Sequence, residues 1–445
     1  MPYIEMDNFI ATKLALIAKR SAEHPRDKFS TLAYLLSVKY RKGCYNELKK
    51  GKVAGIDGKT KEDYTDQEIE REIENTVARM KSKKYNPRPS RRVYIEKANG
   101  KQRPLGIPAV IDKVVQQGIN KILQAIYEPI FLECSYGFRL NRNCHQALKA
   151  VYKMTMTKPI NWIIDVDIKG FFDNVNHKWM IECLNQKISD PNFRSIIIKF
   201  LKAGVMEQGK YYRTEQGTPQ GGIISPTLAN IFLHYVLDLW FEHKLKGKVR
   251  GYTEMVRYAD DFVIGAQTRP VAEQILKEIK ERLSKFGLEV SSEKTRIIEF
   301  GRYAQQNSRN SGNKKAGTFD FLGFTHYCAK SRKGSFLMKA RTSAQRQRKC
   351  LKEMNQWLRQ IRNQYKVKQI WKILSAKLRG HYNYYGISSN TESIGAYYYW
   401  TTRIVFKWLN RRSQKNSFNW TEFARYVKLY PLPKPALVCN MYDIW

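Results

Sequence analysis

The sequence is short of acid. It carries 40 Asp and Glu against 79 Lys and Arg, a net charge of +39 over 445 residues. A field of that size repels itself unless a polyanion accompanies it, so it is not surface decoration. An anionic membrane would attract it too, but the chain has no uninterrupted apolar run long enough to span a bilayer. The first residues do not read as a secretory signal, because Glu5, Asp7, Lys13 and Lys19 interrupt their apolar positions. The cysteines (Cys44, Cys134, Cys144, Cys183, Cys328, Cys350 and Cys439) are scattered, odd in number and without a C-x-x-C pair. That argues against a disulfide frame or a zinc knuckle and for reduced thiols in a cytoplasm. Cys144-His145 is the one adjacent soft pair, and a structural role is the simpler reading. Nucleic acid remains as the partner, for a chain long enough to form two or three domains.

What is present is organised around the stretch from Met255 to Ile264, where apolar residues lie on both sides of Asp260-Asp261. The flanks read as two short strands joined by a tight turn. Asp tolerates such a turn, but two adjacent carboxylates repel each other. A hard, doubly charged cation between them removes the objection, and oxygen-only ligands suit Mg²⁺. Taken alone, such a pair is ordinarily a polar hairpin turn. A second acidic pair changes the balance. Asn161 to Ile168 alternates like a strand, with Ile164, Val166 and Ile168 on one face and Asp165 and Asp167 on the other. Carboxylates on a strand face are costly unless solvated, paired or holding metal. Asp173, after Gly170-Phe171-Phe172, reads as a helix cap, and both it and Asp165 as structural.

Around these stretches the periodicity predicts helices over Phe29 to Leu48, Glu68 to Lys81 and Ile111 to Ile130. Arg91 to Lys97, a turn at Ala98 to Lys101, and Gln102 to Pro108 read as a hairpin bearing Lys97, Lys101 and Arg103. Such a hairpin suits a triphosphate, with the guanidinium as a bidentate clamp; a solvated basic hairpin would look the same. The Gly/Pro-rich run from Thr214 to Pro226 opens an apolar helix, Thr227 to Trp240, whose first N–H groups are open to an anion. Pro270 to Phe286 reads as a helix stopped by Gly287, Arg302 to Gly317 as a flexible basic loop or boundary, and Phe319 to Phe324 as a strand. From residue 331 onward there are 23 Lys and Arg and 4 Asp and Glu, so +19 of the charge sits in about a quarter of the chain. Helices are predicted there over Ser343 to Gln364, Lys368 to Tyr384 and Thr391 to Leu409, interleaved with Trp357, Trp371, Tyr382, Tyr384, Tyr385 and Trp408. Basic helices with aromatics suit phosphate contact and base stacking, and the same rings would equally make a helical core.

In order along the chain stand Arg103 to Pro108, Ser135-Tyr136-Gly137-Phe138-Arg139, Asp167, Gly217 to Asn230, Tyr258-Ala259-Asp260-Asp261, Phe321-Leu322-Gly323-Phe324 and Leu378 to Gly386. Together they resemble the group II intron-encoded reverse transcriptase/maturases over nearly the whole chain. The resemblance implies an α+β right-hand polymerase followed by an all-α thumb. Its divisions would be an N-terminal extension with fingers helices (1–90), fingers and palm with antiparallel sheet (91–330), and the thumb or maturase domain (331–445). It implies an RNA-directed DNA polymerase that copies RNA into cDNA and binds its intron RNA as a splicing and mobility cofactor. The partners would be group II intron RNA, an RNA template with DNA primer, dNTPs and target DNA, with no membrane, in a bacterial cytoplasm near the nucleoid. Asp167 and Asp260 would hold two Mg²⁺ roughly 3.5–4 Å apart, with Asp261 beside them and the Ile168 carbonyl as a further ligand.

By the same resemblance, Lys97 and Arg103 grip the triphosphate and Gln220 lies near the incoming nucleotide. Phe172 is the steric gate against a 2′-hydroxyl. Lys294 protonates the leaving pyrophosphate or contacts its phosphate. Arg341, Arg346, Arg348, Lys349, Lys377 and Arg379 are the implied RNA contacts. Many family members continue into an H-N-H zinc endonuclease; the absence here of the cysteine pairs it needs implies a primer from elsewhere, such as a replication-fork end. Two other readings keep the same motifs. One is an RNA-binding maturase with a vestigial polymerase, against which the intact Asp167, Asp260 and Asp261 argue. The other is a domesticated relative in phage defence or DNA repair, against which the maturase-like segment leans.

Overall fold

The computed structural model describes residues 8–96, 102–218, 220–312, 315–412 and 418–443. The N-terminal part is helical: α1 (Asn8–Glu23), α2 (Val38–Glu47) and α3 (Asp66–Lys81). The single helix predicted from Phe29 to Leu48 is instead broken. A 3₁₀ turn spans Ala33–Leu35, and Ser37 caps α2 by accepting from the Tyr40 N–H. The break has a distant cause, since the Asp190 carboxylate accepts from the N–H groups of Leu32 and Ala33 at 2.7 and 2.8 Å. Donors that a continuous helix would use are thus satisfied elsewhere. By contrast α3 starts on a capping box of Thr65 and Glu68, two residues ahead of the predicted start, and ends at Lys81 as predicted.

Strands β1 (Ser90–Glu96) and β2 (Gln102–Ile107) pair antiparallel as the predicted hairpin. Helices α4 (Val110–Tyr127) and α5 (Cys144–Thr157) lead to β3 (Trp162–Asp167), then α6 (Phe171–Asn174), α7 (His177–Asn185) and α8 (Pro191–Leu201). Short strands β4 (Val205–Glu207) and β5 (Lys210–Tyr212) extend the first hairpin into a sheet of order β2-β1-β4-β5. The Gly/Pro-rich run opens α9 (Ser225–Leu233), which passes into π-helical turns at His234–Asp238 and Phe241–Leu245 and a last turn, α10 (Lys246–Lys248). Next come β6 (Thr253–Tyr258), β7 (Asp261–Ala266), α11 (Arg269–Ser284) and β8 (Arg296–Glu299). Residues 302–317 are not simply a loop, for α12 (Ala304–Asn310) lies within them, its Asn/Ser/Gln-rich composition hiding it.

The central sheet has the order β6-β7-β3-β8, all neighbours antiparallel, and separates two cores. Ile164, Val166, Phe262 and Ile264 face one core with α4, α9 and α11; Ile163, Val256 and Val263 face the other. That second core includes α5 and the third sheet, β9 (Thr318–Phe321), β10 (Phe324–Lys330) and β11 (Phe336–Thr342). It also receives the C-terminal helices α13 (Ala344–Ile361), α14 (Val367–Tyr385), α15 (Thr391–Leu409) and α16 (Trp420–Leu429). The β10–β11 hairpin straddles residue 331, so the helical part starts only at Ala344. Most of the aromatics singled out there are core: Trp371, Tyr382, Tyr385 and Trp408 are buried. Among the described residues no helix is long and apolar enough to cross a membrane. All seven cysteines are free thiols.

Candidate active site

Pairing of Tyr258 with Asp261 closes β6 and β7 over a two-residue turn, Ala259-Asp260, in which Ala259 takes φ +59°. A left-handed first turn residue matches the twist of the flanking strands. On the other side of β7, Asp261 stands directly opposite Asp167 of β3. Side chains of directly opposed residues share a face, with Cβ atoms about 4.5–5.5 Å apart. Asp167, Asp260 and Asp261 therefore converge, with Asp165 two residues back on the same face. The crowding shows in their ionisation. Burial, then the charges of Asp165, Asp260 and Asp167, push Asp261 up to about 8. Burial likewise raises Asp260, and raises Asp165 to about 6 despite Arg296 at 3.8 Å.

Such a set calls for a cation, and one is already near: the Lys294 ammonium lies 3.1 and 3.0 Å from the two Asp167 oxygens. The backbone offers a further ligand. Ser291 and Lys169 N–H groups bond to Asp167 and Glu289 on either side of Ile168, which leaves the Ile168 carbonyl without a donor among the described residues. As the side chains stand, no three His, Cys, Asp or Glu groups among the described residues close a metal cage. A partial oxygen set fits Mg²⁺ all the same, because that ion keeps several waters and is shared with substrate phosphates.

Beside the acids the Gly/Pro-rich loop folds against β2 and α6. Gly106 donates to the Gln220 carbonyl at 2.6 Å, and a Cβ on Gly221, at φ +109°, would meet the Gly106 oxygen at 2.5 Å. The Gln220 side chain accepts from Arg103 Nε at 3.0 Å and donates to Asp173 at 3.1 Å. Asp173 is thus not the predicted cap, a place taken by Gly170 at φ +54°. Phe172, half-buried, joins Pro104, Asp173 and Gln220 around a cavity of about 530 Å³. Lys97 and Lys101 lie outside the described residues.

Residues 95–326 match the family described as reverse transcriptase (RNA-dependent DNA polymerase). The chain is 31% identical to the group II intron-encoded protein LtrA of Lactococcus lactis subsp. cremoris, over 87% of this chain and 75% of that one. The chain belongs to the group II intron-encoded reverse transcriptases. A Schizosaccharomyces pombe protein described as an uncharacterized 91 kDa protein in the cob intron is 30% identical, over 88% of this chain and 55% of its own. Nuclear intron maturase 4, mitochondrial, of Arabidopsis thaliana is 27% identical over 29% of this chain.

The reverse transcriptase motifs are tied together by a buried network that the charge pattern concealed. Arg257, fully buried, donates from Nε to Asp238 at 2.7 Å and from Nη2 to the other Asp238 oxygen. Its Nη1 reaches Asn230 at 3.1 Å and the Ala259 carbonyl, inside the acidic turn, at 2.9 Å. Asn230 in turn donates to the Gly137 carbonyl at 2.7 Å. A Cβ on Gly137 would lie 2.4 Å from the Ala259 nitrogen, so this close approach requires glycine. The Ser135–Arg139 motif therefore supports the turn from behind, and Asp238 reaches Arg257 from a π-helical turn.

The helical C-terminal part touches the same tip. Tyr384 donates its hydroxyl to the Leu322 carbonyl at 3.0 Å, and the Leu322 backbone N–H faces Asp261. Arg346 flanks the adjoining Gly323. Of the other basic residues, Arg348 and Arg379 are exposed, Arg341 lies over Tyr327, Lys377 lies over Trp357, and Lys349 pairs with Glu353 at 3.7 Å.

Proposed function

We propose that this RNA-directed DNA polymerase works by two-metal phosphoryl transfer at Asp167, Asp260 and Asp261, with the Ile168 carbonyl as a further ligand. The observation that carries this reading is the register that sets Asp167 opposite Asp261 and next to the Asp260 turn. Bound Mg²⁺ supplies activation of the primer 3′-hydroxyl and charge for the leaving pyrophosphate. The protein's own share is placement. Arg103, aligned by Gln220, presents its guanidinium to the triphosphate, with Lys97 beside it on the hairpin. The Phe172 ring borders the cavity where a 2′-hydroxyl would have to sit, which favours dNTP over rNTP. Lys294, next to Asp167, neutralises or protonates the departing phosphate.

We further read the chain as binding its group II intron RNA, as a splicing and mobility cofactor. The names of its relatives and the basic C-terminal part support this, with Arg341, Arg346, Arg348, Lys349, Lys377 and Arg379 as contacts. The thumb would then begin at Ala344, after the β10–β11 hairpin. Asp260→Asn tests the site: dNTP incorporation on a primed RNA template should vanish while RNA affinity stays within about twofold. Retained incorporation would remove the carboxylate assignment.

A further inference from the structure

Helix α15 buries Ile394, Tyr397, Thr401, Val405 and Trp408. Its opposite face carries large rings into water. Tyr399 is 51% exposed, Trp400 is 50% exposed, and Trp420 at the start of α16 is 47% exposed. Among the described residues no other tryptophan is as open, the next being Trp179 at 38%. The rings are organised. The Arg403 guanidinium lies 5.0 Å from the Tyr399 ring centre and 5.3 Å from that of Trp420. Phe406 backs Trp420 in a stack of 3.8 Å at 18°, and Trp400 meets Tyr399 edge-on at 5.2 Å. Among the described residues Arg403 has no carboxylate partner, and Lys407 and Arg425 are exposed on the same two helices. The one acid of α16, Glu422, is engaged with the Asn419 N–H in a capping box.

We propose that this face of α15 and α16 is a stacking platform for unpaired nucleotides of an RNA strand. Every base offers a π face to an exposed ring, and an arginine set between rings adds cation–π attraction and pairs with phosphate. The excess of positive charge selects a polyanion over an apolar protein surface, and a duplex hides the base faces that the rings would stack on. The proposal deepens the reading of the basic C-terminal part as an RNA surface and uses none of the carboxylates, so it stands without the polymerase mechanism.

The test uses the full chain and two labelled probes, a short oligouridylate and an RNA duplex of equal length, read by fluorescence anisotropy. Trp400→Ala and Trp420→Ala should each weaken oligouridylate binding about tenfold, with duplex binding little changed. Trp400→Phe should restore most of the affinity. Unchanged binding of the single strand, or an equal loss for both probes, overturns the proposal. So does a parent protein whose self-association the same variants abolish, since a second copy then covers the rings. Should Trp420→Ala unfold because Phe406 loses its neighbour, Trp400→Ala decides, as that ring backs onto Tyr399 alone among the stacked pairs.

Discussion

Replacing Arg257 with Met would strip four hydrogen bonds from a side chain with no exposed surface. Asp238, equally buried, would keep its charge without a partner. Removing one member of a buried ion pair costs about 3–5 kcal/mol. Against a total stability of about 5–15 kcal/mol, the single variant should show a large drop in urea midpoint. The double variant, Arg257→Met with Asp238→Leu, separates two effects. Replacing both charges by apolar groups of similar volume is often neutral, so most of the stability should return. The Ala259 carbonyl and Asn230 still lack their donor, at about 1–3 kcal/mol for an unsatisfied buried group. The turn that carries Asp260 is then no longer tied to the protein beneath it. Misplacement of a catalytic group by about 1 Å costs roughly a hundredfold in rate, so incorporation should stay far below the parent's after stability recovers. A double variant that is both stable and fully active would refute the view that this guanidinium sets the position of Asp260.

Phe172→Ala should admit ribonucleotides, seen as a rise in rNTP relative to dNTP incorporation; unchanged sugar selectivity would move the gate elsewhere. In the metal-free protein, Asp261 at about 8 and Asp165 at about 6 lie above the ordinary carboxyl value of 3.8. A raised folded-state pKa gives stability that is present at low pH and lost as pH climbs through that value. The crowding should therefore lower the melting temperature in EDTA from about pH 4 to about pH 8, Asp165 contributing below about 6 and Asp261 throughout. Asp261→Asn should flatten the trend between about pH 6 and 8, and a rising curve there would contradict the crowding. Tyr384→Phe loses one hydrogen bond, worth about 0.5–1.5 kcal/mol, to the Leu322 carbonyl. Amide exchange at Leu322 and Gly323 should quicken, and identical exchange would show that the turn is held by other contacts.

The acidic tip was legible because its signals are local. Period-two alternation put Asp165 and Asp167 on one face of β3, and the turn residues marked the break between β6 and β7. Arg257 was not legible. In a chain with 79 basic residues it looked like one more of them, and its partners Asp238 and Asn230, the latter tied in turn to Gly137, come from a helix and a loop far off in sequence. The break at Ser37 is of the same kind, imposed by Asp190 across more than 150 residues. The aromatics of the C-terminal helices were a different matter. Spacing on α15 does separate Tyr397, Val405 and Trp408 from Tyr399, Trp400 and Arg403, but composition alone merges the two faces into one basic, aromatic helix.

The balance of charges at the tip says where a cation is needed. Four carboxylates gather where the apolar rows of β3 and β7 give out. Arg296 lies 3.8 Å from Asp165 and Lys294 lies 3.0 Å from Asp167, so these two have cationic neighbours. Asp260 and Asp261 have no ion-pair partner among the described residues, and both are raised. Of the positive charges that act on Asp260, Arg103 ahead of Arg257, the first donates to Gln220 and the second is committed to Asp238, and neither forms an ion pair with it among the described residues. Burial makes this arrangement costly in either protonation state: neutral, the acids give up their charge, and ionised, they repel. A divalent ion removes both costs at once. The Leu322 N–H, held toward Asp261 by the Tyr384 bond, supplies only a dipole and cannot substitute for it. The unmet demand for charge thus lies at the turn itself.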